Sequence, residues 1–206
     1  MKSSLSIVSR LGQILFPYRL FVGLAVVVPA LGWLSPQPFL IEPYRNVQLF
    51  GLLTILFGLG LRAWAAGCAG AHTRSKIIEA PSLITNGPFA HVRNPIYLGT
   101  LIIGLGMSIL IVDPWAYLFS AVAFAILYLT IIPAEEKFLR GLFGVEYQRY
   151  CKSVPRLFPR FSAWKQRSRG IFHWSSTWGE LRIASIIAVI YVVLTLVQRL
   201  KVSGVP

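Results

Sequence analysis

Residues 96–112 hold no charged side chain, and neither do 21–41 or 115–133; 47–68 carries only Arg62, and 181–200 only Arg182 and Arg199. Nothing else in the chain limits its fold as tightly. About 20 apolar residues in helical form cross a bilayer. In lipid a single segment satisfies its backbone N–H and C=O groups only by forming a helix. These runs therefore predict an all-α fold, a polytopic transmembrane helical bundle of about five membrane spans. Composition agrees. The chain is 55% hydrophobic and 13% charged, where a soluble domain carries about a quarter charged residues. A soluble globular domain is excluded. The 206 residues read as one membrane domain: 1–46 an amphipathic start and first span, 47–160 a core, 161–206 a basic interfacial segment and last span.

In residues 1–20, Ile7, Val8, Leu11, Ile14 and Leu15 recur at helical spacing, which suggests a short interfacial helix. No cleavable signal is apparent in this stretch. The first span, 21–41, contains Pro29, Pro36 and Pro38, and residues 42–46 form a polar turn. The second span, 47–68, holds Gly51, Gly58, Gly60 and Gly67, which allow helices to approach closely. Its Arg62 has two readings, snorkelling to the headgroups or contacting an anion near a site, and the first is favoured. The polar connection 70–93 follows. The third and fourth spans, 96–112 and 115–133, form a hairpin turning at Asp113-Pro114. The fourth is read as running past Pro133 as an amphipathic helix that breaks near Gly144.

The net charge of +13 raises nucleic acid as a partner. The segment 154–170 does interleave Arg156, Arg160, Lys165, Arg167 and Arg169 with Phe158, Phe161 and Trp164. Beside spans, that pattern is better read as an anchor on anionic membrane lipids, so no nucleic-acid partner is expected. Cys68 and Cys151 have no metal-ligand spacing, read as structural filler, and no metal site is expected. Basic residues concentrate before the first span, between the second and third, and between the fourth and fifth. The positive-inside rule then gives a multi-pass protein with a cytoplasmic N-terminus and an outside C-terminus.

Two stretches carry chemistry. In Gly87-Pro88-Phe89-Ala90-His91-Val92-Arg93-Asn94-Pro95-Ile96-Tyr97-Leu98-Gly99, Gly87-Pro88 marks a turn. Asn94 reads as an N-cap, and Pro95 as the first helical residue, where a missing N–H costs nothing. This donor-rich loop feeds straight into the third span. The second stretch holds Glu135-Glu136-Lys137-Phe138-Leu139, then Phe143-Gly144-Val145-Glu146-Tyr147-Gln148-Arg149-Tyr150, then Val154-Pro155-Arg156. In this order, with Arg93-Asn94-Pro95-Ile96-Tyr97-Leu98-Gly99 before them, these pieces resemble the isoprenylcysteine carboxyl methyltransferase and phospholipid methyltransferase superfamily, over roughly residues 50–160.

The resemblance implies an integral membrane methyltransferase that uses S-adenosylmethionine, releases S-adenosylhomocysteine, and acts on a small lipophilic acceptor at the cytosolic face. It places Leu83, Ile84 and Phe89 around the adenosyl group and Asn94, Pro95, Ile96 and Tyr97 around the methionine and ribose end. Glu135 would take the ammonium or a ribose hydroxyl, with Glu136 and Tyr147 also in the cofactor site. Arg93 is a candidate for the cofactor carboxylate, and His91, beside it, for general-base work, so Arg93, Glu135 and His91 form the candidate catalytic set. Plainer readings stand beside these. Glu135-Glu136 also fits a solvated turn paired with Arg140, Tyr147 and Tyr150 fit interface anchors, His91 fits a satisfied loop histidine, and Arg93 a headgroup contact.

Two departures matter. The family's His of Arg-His-Pro is Asn94 here, which hydrogen-bonds but does not titrate. The arginine that prenylcysteine carboxyl methyltransferases carry one turn before the Glu pair is Ile131, which argues for a neutral or amine-bearing lipid, thiol or isoprenoid acceptor. Acceptor access is expected from the bilayer between the second and fourth spans, past Gly58 and Gly60. Two other classes compete: a sterol-reductase-like membrane enzyme using NADPH, and a non-catalytic membrane scaffold with a basic face.

Overall fold

The computed structural model describes residues 36–37, 41–70, 82–167 and 170–203, and every helix and turn below lies within them. The predicted interfacial helix and nearly all of the first span fall outside these residues, as do Arg74, Lys76 and Glu79 of the polar connection. Helix α1 is Arg45–Ala69. After a 3₁₀ turn at Gly87–Ala90 come α2, Pro95–Ile111, and α3, Pro114–Ile126. A π-helical stretch, Leu127–Ile131, joins α3 to α4, Ile132–Ser153. Helix α5 is Trp174–Ser203. Three helical stretches, Arg45–Ala69, Pro114–Ser153 and Trp174–Val197, are long and apolar enough to cross a membrane, and α2 is a shorter apolar helix.

The bundle inverts the soluble pattern. On α1 the buried positions are small or polar, with Gln48, Gly51, Ile55, Gly58, Ala65 and Ala69 on one stripe, while Phe50, Leu53, Leu56 and Phe57 are exposed. Large apolar side chains on the outside suit a surrounding of lipid. The stripe meets α2 through two reciprocal glycine pairs. A Cβ on Gly51 would lie 2.9 Å from the Gly106 carbonyl oxygen, and one on Gly106 would lie 2.9 Å from that of Gly51; Gly58 and Gly99 repeat the same pair of distances. Gly51 pairs with Gly106 and Gly58 with Gly99, so α1 and α2 run antiparallel at backbone contact.

The hairpin at 113–114 forms as the residues predict. Asp113 Oδ1 accepts the Trp115 N–H at 2.8 Å, capping α3, and Ser108 Oγ lies 3.0 Å from the Ala116 carbonyl and 2.9 Å from Ser120 Oγ, tying α2 to α3. The fourth span does run on past Pro133. A proline lacks an N–H and crowds the preceding turn, and the widened π turn just before it absorbs that defect. The expected break near Gly144 is real: Gly144 has φ 50° inside α4, a left-handed value that favours glycine. Helix α5 begins several residues before the predicted 181–200 span, at Trp174. Its Leu194 joins Ile111 and Ala116 in a buried apolar cluster, and its Glu180 meets Arg62. The α1–α2 loop and the α4–α5 connection therefore share one end of the bundle.

Candidate active site

The loop before α2 is shaped by Gly87, whose φ is 55° and where a side chain would collide with Cys68 Sγ. The segment after α4 then clamps this loop through its backbone. The Arg93 N–H donates to the Pro155 carbonyl at 2.9 Å, the Arg160 N–H to that of His91 at 3.0 Å, and the Trp164 N–H to that of Ala90 at 2.9 Å. Tyr150 OH adds a 2.6 Å bond to the Phe89 carbonyl. Under this clamp Tyr147, Tyr150, Val154 and Trp164 form a buried cluster with Leu83 packed against it. Burial, above all, holds the Tyr147 and Tyr150 phenols above their ordinary range, so both stay protonated donors.

The two motif stretches meet here. Asn94 stands at the helix start, with Pro95 in the first turn, but its side chain makes no capping bond. The position is the N-cap as read, its carbonyl accepting the Leu98 N–H at 3.0 Å, while Asn94 Nδ2 donates to Glu136 Oε1 at 3.3 Å and to the Arg156 carbonyl at 3.1 Å. Three residues on, Tyr97 OH donates to Glu135 Oε1 at 2.9 Å. Glu136 is 1% exposed. Arg156 holds it with Nη2 at 2.6 Å and Nε at 3.1 Å, and Arg93 Nε lies 3.6 Å away. The hydrogen bond to Glu136 is the first cause that raises the Arg156 pKa. Arg156 also sits 5.8 Å from the centroid of the Tyr128 ring, which the π turn presents. The reading of the Glu pair as a solvated turn partnered by Arg140 does not hold for Glu136. Arg93 Nε is buried with no hydrogen-bond partner among the described residues.

Arg93, Asn94, Tyr97, Glu135 and Glu136 thus gather at one place. The other predicted residues surround it differently. His91 donates its Nδ1–H to the Arg160 carbonyl at 2.9 Å. Ile96 offers its carbonyl to Arg62, Pro95 and Tyr147 are buried, and Ile84 and Phe89 are half-buried. Ile131 is fully buried.

Two expectations fail. Arg62 does not snorkel: it lies on the inner stripe of α1, 2.7 Å from Glu180, with Nη1 bonded to Thr100 Oγ1 at 2.6 Å. Gly58 does not open a route to the fourth span, because it is shut against Gly99 and Ile103 of α2; Gly60 has open space and borders a groove toward α5 instead. One residue of this cluster lies outside the predicted set: Arg156, whose signal is the Val154-Pro155-Arg156 run.

Comparison with known proteins points the same way. A family model described as phospholipid methyltransferase matches residues 47–146. Protein-S-isoprenylcysteine O-methyltransferase A of Arabidopsis thaliana is 36% identical over 116 residues, covering 52% of this chain and 57% of that protein. Protein-S-isoprenylcysteine O-methyltransferase B of the same plant is 30% identical over 146 residues, covering 66% and 72%. The cobalt-zinc-cadmium resistance protein CzcN of Cupriavidus metallidurans is 33% identical over 95 residues, 46% and 44%. The chain spans about half the length of the first and third of these relatives. No solved structure gives a significant match. On this coverage and on the motif order, the chain belongs to the family of protein-S-isoprenylcysteine O-methyltransferases and phospholipid methyltransferases.

Proposed function

We propose that this chain is an integral membrane methyltransferase that moves a methyl group from S-adenosylmethionine to a lipophilic acceptor at the cytosolic face. The observation that carries the reading is the meeting of Asn94 and Tyr97 with Glu136 and Glu135. Two stretches remote in sequence join at the bundle end where an apolar helix begins. The residues present suit the cofactor. Arg93 Nε is buried, 3.6 Å from Glu136 Oε1 and without a hydrogen bond among the described residues, so its guanidinium is fit to take a second carboxylate. Glu135 is an acid oriented by Tyr97, fit for an ammonium or a ribose hydroxyl. Ile84 and Phe89 offer half-buried apolar surface to an adenosyl group.

When bound, the cofactor supplies an electrophilic sulfonium methyl. The chain's own part is positioning and exclusion of water, which suffices for an in-line displacement. Glu135 and Arg93 fix the charged end, and Tyr97 fixes Glu135. Glu136 works from behind, its oxygens engaged by Arg156 and Asn94, holding the clamp segment on the loop. His91 is the candidate to accept a proton from the acceptor. The excess of basic residues at this end supports a cytoplasmic side for it, with α5 ending outside.

The Arabidopsis relatives are named for O-methylation of isoprenylcysteine. Here Ile131 stands where a carboxylate-binding arginine is expected, so the acceptor is read as neutral or amine-bearing. The test is transfer of radiolabelled methyl from S-adenosylmethionine by the purified chain in detergent, with neutral isoprenoid, amine-lipid and prenylcysteine acceptors. Label in the first two with slow ester formation on the third is expected. Rapid ester formation overturns the acceptor class. No transfer to any acceptor, with binding of a nicotinamide dinucleotide instead, overturns the reaction.

A further inference from the structure

At the bundle end, outside the cluster just described, α4 and the clamp segment enclose an open basin of about 450 Å³. Arg149, Lys152, Arg160 and Lys165 line it with Trp164, and no carboxylate is among its lining residues. The basin has a fixed frame. Trp164 is 9% exposed, and its ring centroid lies 5.3 Å from that of Tyr150. Arg160 is tied by Nη1 to the Ser153 carbonyl at 2.7 Å and by Nη2 to Ser162 Oγ at 2.8 Å. Four cations around one concavity with no carboxylate among them make a positive field that favours an anion.

The surroundings choose the anion's source. On the same segment Phe158 is 82% exposed and Phe161 fully exposed. Two rings turned away from their own fold need an apolar phase, and the segment bearing them is hydrogen-bonded to the loop that leads into α2, where the apolar span begins. We propose that this basin binds the phosphate of an anionic phospholipid headgroup, with Phe158 and Phe161 seated in the same leaflet. A free phosphate ion gives the rings nothing, whereas a lipid satisfies rings and cations together. Because Arg160 and Trp164 also hold His91 and Ala90, a bound headgroup braces the loop of the candidate active site. The binding itself is independent of the methyl-transfer reading.

The test is lipid retention by the full chain in neutral detergent, read by native mass spectrometry with phosphatidylglycerol and phosphatidylcholine as probes. The variant is R149Q/K152Q/K165Q, with K137Q/R140Q on the same helix as control. All five side chains are exposed, so the fold is expected to survive. Each lost cation is expected to weaken phosphatidylglycerol binding about fivefold, giving a loss on the order of a hundredfold in the triple variant. Phosphatidylcholine retention and the control variant stay within about twofold. Equal retention of the two lipids, or an equal loss in the control, overturns the proposal. So does inorganic phosphate that binds the basin without any preference for the anionic lipid, or a single-stranded oligonucleotide that binds tightly and is lost in the triple variant.

Discussion

Two glutamates are buried against arginines in this molecule, and they do different work. Glu136, at the end of the bundle, meets Arg156, Arg93 and Asn94 from two separate segments. Glu180, between helices, meets Arg62, whose other donors go to Thr100 and the Ile96 carbonyl. The first is a junction that shapes a site; the second is a clasp between α1 and α5 that also reaches the first turns of α2. Both need their partners, because a lone charge in either place is costly. A junction cannot be replaced without moving several segments, whereas a clasp can be exchanged for apolar packing.

The largest effect is expected from breaking the junction. Glu136→Ala leaves Arg156 and Arg93 without their carboxylate and should cost about 3–5 kcal/mol, read as a lower unfolding midpoint in detergent. Simultaneous loss of Arg156 should not restore it, since Asn94 and Arg93 remain unmatched. The clasp should behave otherwise. Arg62→Leu or Glu180→Leu alone should cost about 3 kcal/mol, and the double variant should recover most of it. A double variant as unstable as the sum of the singles would erase the distinction. A smaller effect separates two glycines of α1. Gly58→Leu should cost about 1–3 kcal/mol by overpacking against α2, and Gly60→Leu about 0.5 kcal/mol or less in either direction.

The same contrast explains what the sequence reveals. Local rules found the apolar helices of the described residues from their uncharged runs, though only three stretches are long enough to cross a membrane, and they found Pro95 in the first turn of α2, the turn at Asp113-Pro114 and the break at Gly144. Motif order pairs Asn94–Tyr97 with Glu135-Glu136, and the side chains do meet. What was not legible depends on which helices are neighbours. Arg62 reads as a snorkelling residue until α5, 118 residues away, delivers Glu180. Asn94 reads as a cap, which it is by position, but that its amide N–H also ties the start of α2 to Glu136 and the Arg156 carbonyl shows only once α4 is in place. Gly58 and Gly60 look equivalent in sequence, and only the position of α2 divides them.

The central claim, that Tyr97 and Glu135 together hold one methyl donor, is tested most directly by calorimetric titration of S-adenosylhomocysteine onto the purified chain, Tyr97→Phe and Glu135→Gln. Saturable binding by the unaltered chain, weakened about tenfold or more by each substitution while the unfolding midpoints show a folded protein, is the predicted result. Binding of equal strength in all three, or none in the unaltered chain, would contradict it.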